Sequence, residues 1–173
     1  MKFTKLFLLA LSVLFFSCSD DEAPMPTREG MVGTWTVTAI NYKGTSTTTV
    51  MGTSIKANFT GTGKDIDLTT TFGDDPNTVT SEGSYVIVLT TTMMGQTTTE
   101  EVPFEEMIMD GTWELEGRKL IVTNEFAVQE ATVTRQTSTT MEVKIKFEQS
   151  EGDDEFFSVD SKFDAVFTFS RQQ

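Results

Sequence analysis

From Thr34 onward, apolar and polar residues alternate along much of the chain. Met141, Val143, Ile145 and Phe147 fall on one side of an extended segment, with Glu142, Lys144, Lys146 and Glu148 on the other. Phe163, Ala165, Phe167 and Phe169 repeat the pattern near the end, against Lys162, Asp164, Thr168 and Ser170. A period of two gives each segment one core face and one wet face, the pattern of an antiparallel strand. No stretch keeps helical spacing over three turns. Further strand-like runs are Thr34–Tyr42, Thr45–Val50, Ser54–Thr60, Asp65–Phe72, Thr78–Thr91, Gln96–Phe104, Gly111–Glu116, Lys119–Thr123 and Val128–Thr134, for about eleven strands in all.

Turn residues separate these runs: Lys43-Gly44, Met51-Gly52, Gly61-Thr62-Gly63, Gly73 to Asn77, Met94-Gly95, Glu116-Gly117 and Gly152-Asp153-Asp154. Connections this short pair consecutive strands antiparallel. The expected fold is all-β, an antiparallel up-and-down β-barrel, with a two-sheet β-sandwich as the alternative; closure into a barrel leaves no exposed edges. Thr47 to Gly52 is echoed by Thr90 to Gly95, and Gly33-Thr34-Trp35 by Gly111-Thr112-Trp113. The two echoes have different offsets, so they read as recurring hairpin chemistry and not as a duplication.

The first 17 residues are of another kind. Lys2 and Lys5 precede an apolar run from Leu6 to Phe16, then Ser17 and Cys18. The run is too short to span a bilayer, which needs about 20 residues, and reads as a signal peptide over residues 1–17. Residues 18–29, with Pro24 and Pro26, read as a flexible tether, and residues 30–173 as the folded domain.

Composition narrows the function. Of 173 residues, 31 are Thr, which favours strands. One Cys excludes an internal disulfide, and the absence of His excludes any site that needs an imidazole. The formal charge is −13, and loss of Lys2 and Lys5 with the signal leaves 11 basic and 26 acidic side chains, or −15. Such a surface repels phosphate, so nucleic acid is not an expected partner.

Cys18 behind its apolar segment resembles the lipobox of bacterial lipoproteins, and Ser19, Asp20, Asp21 and Glu22 resemble the acidic export signal that follows the lipidated cysteine in Bacteroidota. The resemblance implies acyl chains on Cys18, attachment to the outer membrane and exposure at the cell surface, with the periplasmic face as the alternative. Gly33-Thr34-Trp35 opens the first long strand, and Gly111-Thr112-Trp113 precedes a strand, glycine turn and strand running to Val122. Together with the closing Phe167-Thr168-Phe169-Ser170-Arg171, these resemble the lipocalin-like domains of Bacteroidota lipoproteins. That resemblance covers residues 30 to 171 and implies a small barrel, sometimes able to hold a hydrophobic molecule, with Gly33, Trp35, Gly111 and Trp113 at its base. No Thr-Asp-Tyr second motif and no disulfide pair accompany it.

Catalysis finds little support, because hydrolytic triads need His or a free Cys. The adjacent acids Asp74-Asp75, Glu100-Glu101, Glu105-Glu106 and Asp153-Asp154-Glu155 do not converge, since neighbours in a strand point to opposite faces. Asp65-x-Asp67 lacks the spacing of a calcium loop. No enzyme activity, cofactor or metal is expected. Trp35, Phe147, Phe163, Phe167 and Phe169 are candidate inward residues. Met51, Met93 and Met94 sit at expected hairpin tips, where thioethers at a barrel rim can adapt to an irregular apolar ligand or partner. The expected partner is a small hydrophobic molecule, or another surface protein docking on a filled core.

Overall fold

The computed structural model describes residues 23–105, 108–153 and 156–173. A short helix, α1 (Arg28–Met31), leads into nine strands: β1 (Gly33–Val50), β2 (Thr53–Phe72), β3 (Thr78–Met93), β4 (Gln96–Glu105), β5 (Gly111–Glu116), β6 (Lys119–Thr123), β7 (Val128–Gln136), β8 (Thr140–Asp153) and β9 (Phe157–Arg171). All belong to one antiparallel sheet, ordered β2-β1-β9-β8-β7-β6-β5-β3-β4, which a further β2–β3 pairing closes in a ring. The two separate sheets of a sandwich are therefore not what forms.

Nine strands replace the expected eleven because two glycine sites are not turns. Lys43-Gly44 lies inside β1 and Gly61-Thr62-Gly63 inside β2, and the two strands pair with each other through both sites. Gly44 is there for space: a Cβ on it would lie 2.4 Å from Phe163 Cβ and 2.5 Å from the Lys162 carbonyl oxygen. The corners at Met51-Gly52 and Met94-Gly95 are two-residue hairpin loops with positive φ at all four positions.

The sheet is not uniform along its length. Near the start of β1 the ring runs through β1, β2, β3, β5, β6, β7, β8 and β9; β3 meets β5 at Thr78 and Val79 alone. Farther along, among the described residues, β3 pairs with β4, whose other edge has no strand beside it, and β8 beyond Ile145 has β9 as its one neighbour. The upper part is thus a six-strand trough, β8-β9-β1-β2-β3-β4, open between β4 and β8. The core fills the ring, with Trp35, Trp113, Tyr85, Phe72, Phe167 and Phe169 all fully buried.

The chain enters at the closed end. Arg118 of the β5–β6 turn donates to the carbonyls of Ala23 and Pro24, Pro26 is buried, and Thr27 caps α1 through a hydrogen bond to its hydroxyl from the Gly30 amide. Among the described residues, packing against the sheet thus already begins at Ala23, ahead of Gly30, and residues 23–29 are held against the domain. Every buried core residue among the described residues lies between Met31 and Phe169, so the stretch 23–173 carries the described sheet and its core on its own.

Candidate functional site

The two Gly-x-Trp segments build the closed end. Trp35 donates its indole N–H to the Met31 carbonyl at 2.8 Å, and Trp113 donates to that of Gly73 at 2.9 Å, so neither ring buries an unsatisfied donor. Each carries an arginine on its face: Arg171 stands 4.2 Å from the Trp35 ring centroid and Arg28 stands 5.3 Å from that of Trp113. Arg171 also donates to the carbonyls of Val32 at 2.6 Å, Gly30 at 2.5 Å and Ser138 at 2.9 Å, tying the end of β9 to α1 and the β7–β8 turn. Gly33 has φ +125°, and a Cβ there would meet the Arg171 guanidinium at 2.6 Å. At Gly111 the obstacle is the Thr123 carbonyl oxygen, 2.3 Å from an added Cβ. These four positions pack the closed end, and none of them lines the cleft described next.

Where the ring gives way to the trough there is a cleft of about 420 Å3. Its walls come from β1, β2, β3, β4, β8 and β9, whose Tyr42, Phe59, Leu89, Phe104, Phe147 and Phe163 face it, with Gln129 of β7 at the open side. Alternation places these side chains there. Phe163 opposes both Gly44 and Phe147, Gly44 opposes Phe59, and directly paired residues project from the same face. Phe147 and Phe163 stack with centroids 4.6 Å apart, Phe59 meets Phe163 edge-on at 5.9 Å, and Phe104 lies parallel to Tyr85 at 5.5 Å. The missing side chain at Gly44 leaves room for Phe59 and Phe163 to approach.

Tyr42 and Tyr85 meet beneath the cleft, hydroxyl to hydroxyl at 3.0 Å. Burial pushes the Tyr42 phenol above its ordinary range, and its hydrogen bond to Tyr85 adds to this. Burial also raises Tyr85, with the bond to Tyr42 pulling partly back. Both are protonated at neutral pH and present O–H groups under a ring of aromatic carbon.

The predicted rim methionines are elsewhere. Met51 and Met94 are 80% and 81% exposed at the two hairpin tips, and Met93 is 47% exposed just below. Six residues separate Phe59 from Thr53 and Val102 from Gln96, so each tip stands about 20 Å beyond the cleft. None of the three methionines lines it, and the tips do not fold over to close it. Trp35, Phe167 and Phe169 are core, whereas Phe147 and Phe163 line the cleft. Cys18, Ser19, Asp20, Asp21 and Glu22 lie outside the described residues, as do Glu106, Met107, Asp154 and Glu155.

Sequence reasoning missed Tyr42, Phe104 and Val102 as cleft residues, and Tyr85 beneath them. One signal was present: a two-residue loop at Met94-Gly95 fixes the register of β3 on β4, and this sets Tyr85 opposite Phe104 and Ile87 opposite Val102. Among the described residues no three of Cys, Asp or Glu converge to hold a metal ion, and no helix is long and apolar enough to cross a membrane. Comparison with known proteins found no matching family model, no matching curated protein and no matching solved structure.

Proposed function

We propose that this chain is a non-catalytic, lipid-anchored binding module, a lipocalin-like barrel that is held to the outer membrane through Cys18 and takes a small hydrophobic molecule. The cleft carries this reading. An apolar, aromatic-walled concavity of a few hundred cubic ångströms with a few polar groups beneath it is the usual form of a small-molecule site, and the ring filled with core below it supplies a rigid base. The acidic segment Ser19 to Glu22 supports an address at the cell surface.

The test uses N-phenyl-1-naphthylamine, a neutral dye that fluoresces in apolar surroundings, with the chain 23–173. Saturable binding at one site is expected. Leu89→Asn, checked for folding by circular dichroism, should weaken it severalfold, and Met93→Ser with Met94→Ser should leave it unchanged. Absence of saturable binding in the unaltered protein overturns the reading.

A second reading has its own observation. Met51 (φ 47°) and Met94 (φ 50°) hold left-handed backbone at their tips, a conformation that costs a non-glycine residue about 1 kcal/mol or more, and both expose an apolar side chain. Local strain combined with exposed thioether favours a protein contact at the tips. Protection of both methionines from peroxide in the membrane, lost on purification, would support it.

A further inference from the structure

The interior face of the six-strand trough continues from the cleft to the hairpin tips, and its charge is one-sided. Tyr42, Gly44, Ser46, Thr48 and Val50 of β1 lie on it, since Tyr42 lines the cleft and alternate residues share a face. Register carries the face outward. Ser46 opposes Ala57 and Ser161, Thr48 opposes Ile55 and Val159, Ala57 opposes Met93, and Met93 opposes Gln96.

Every lysine of the trough is on the other face. Lys43 alternates with Tyr42, and Lys56 opposes Thr47. Lys64 pairs with Glu101 at 2.8 Å, Lys144 with Asp164 at 2.7 Å and Lys162 with Glu148 at 3.2 Å, while Lys146 opposes Asp164. The interior face carries carboxylates instead. Glu100 of β4 directly opposes Leu89, which lines the cleft, and lies two residues from Val102, which also lines it. Glu151 of β8 lies four residues beyond Phe147, opposite Val159, and accepts a hydrogen bond from the neutral Gln149 side chain. The two acids stand on the two open lips, β4 and β8, with no lysine or arginine on the interior face of the described trough.

From this arrangement we infer that the cleft selects cationic amphiphiles, molecules with an apolar tail and an amine or similar positive head. The inference rests on the proposed hydrophobic site and adds the sign of the head group. A tail seated among Phe59, Leu89, Phe147 and Phe163 leaves along the trough or between its β4 and β8 lips, because the ring below is filled. Its head then lies between Glu100 and Glu151. A carboxylate there meets two like charges and no counter-charge, whereas an ammonium meets two acceptors. Fatty acids, which pair an apolar tail with a carboxylate, are the class this geometry repels.

The experiment displaces N-phenyl-1-naphthylamine from the chain 23–173 with decylammonium, decanol and decanoate at pH 7 and low salt, so that tail length is constant and only the head changes. Decylammonium is expected at about a tenfold lower midpoint than decanoate, with decanol between, the size two partly screened carboxylates produce when they favour one ligand and oppose the other. Salt should shrink the gap. Glu100→Gln with Glu151→Gln should reduce it to about twofold. Glu114→Gln with Glu125→Gln, an equal loss of charge at exposed positions away from the trough, should leave it intact. Equal or better displacement by decanoate overturns the inference, and so does an equal loss of preference in both double variants. If the dye does not bind at all, the hydrophobic site itself fails and the inference falls with it; dye binding without head-group preference removes the inference alone.

Discussion

Gly44 holds the cleft open, and replacing it with alanine measures how tightly the ring and trough are joined. Its φ is ordinary for any residue, so Gly44→Ala brings no backbone strain and isolates the packing cost. The new methyl meets Phe163 Cβ at 2.4 Å, the Lys162 carbonyl oxygen at 2.5 Å and Phe59 Cζ at 2.6 Å. The phenyl ring of Phe59 can swing away. The Lys162 carbonyl belongs to the β1–β9 ladder, and Phe163 Cβ is fixed to that same backbone. Overpacking of this kind costs about 1–3 kcal/mol, and with a backbone oxygen in the way the upper end applies. Alanine returns up to about 1 kcal/mol through lower chain entropy in the unfolded state. The net loss is about 2 kcal/mol, or a fall in Tm of about 4–8 °C for a domain of this size. Thermal unfolding followed by circular dichroism reads it, and dye titration should show severalfold weaker binding as Phe59 turns into the cleft. Gly95→Ala is the contrast, because nothing lies within 4 Å of its Cβ and its φ of +80° is the whole cost; it should lower Tm without touching dye affinity. A Gly44→Ala protein with unchanged Tm and unchanged binding would refute the account of this glycine as a spacer.

Arg171→Lys should cost about 2–3 kcal/mol in urea unfolding, because an ammonium cannot both cover Trp35 and reach three carbonyls in a fixed fork; a loss under about 0.5 kcal/mol would show that the closed end does not depend on it. Above pH 10 stability should fall by up to about 1.4 kcal/mol per pH unit on account of Tyr42, which burial keeps protonated when folded but which ionises at about 10 when unfolded, so the folded state binds more protons; the raised Tyr85 acts in the same direction. Tyr42→Phe should flatten that slope between pH 10 and 11.5, and an unaltered slope would contradict the burial of the pair. Cys18→Ala should release the protein from the membrane fraction, and continued sedimentation with membranes would count against lipid anchoring.

Strand positions were legible because a period of two is local: Met141 to Phe147 and Phe163 to Phe169 show which way they face without any knowledge of their neighbours. The glycines were ambiguous for a physical reason. Gly52 and Gly95 serve positive φ, whereas Gly44, Gly61 and Gly63 serve close approach by Phe163, Ile87 and Ile66, and both uses look alike in a Thr-rich sequence. Reading the second kind as turns split two long strands into four. The cleft was half legible. Phe147 and Phe163 announce an inward direction, but whether an inward phenylalanine fills or lines depends on where β3 exchanges β5 for β4 as its neighbour, and that is set by pairing between residues far apart in the chain. Glu100 beside Glu101 reads as a solvated pair; register alone shows that one faces the trough and the other Lys64.

The described chain enters near Trp35 at the closed end and the cleft opens toward the opposite end, so the fold is polar along its length. Whatever holds the N-terminus pulls from below the floor, and the mouth points away from that support. Under the proposed binding and anchoring, cargo arrives from the medium and departs to it, without passing the surface that holds Cys18.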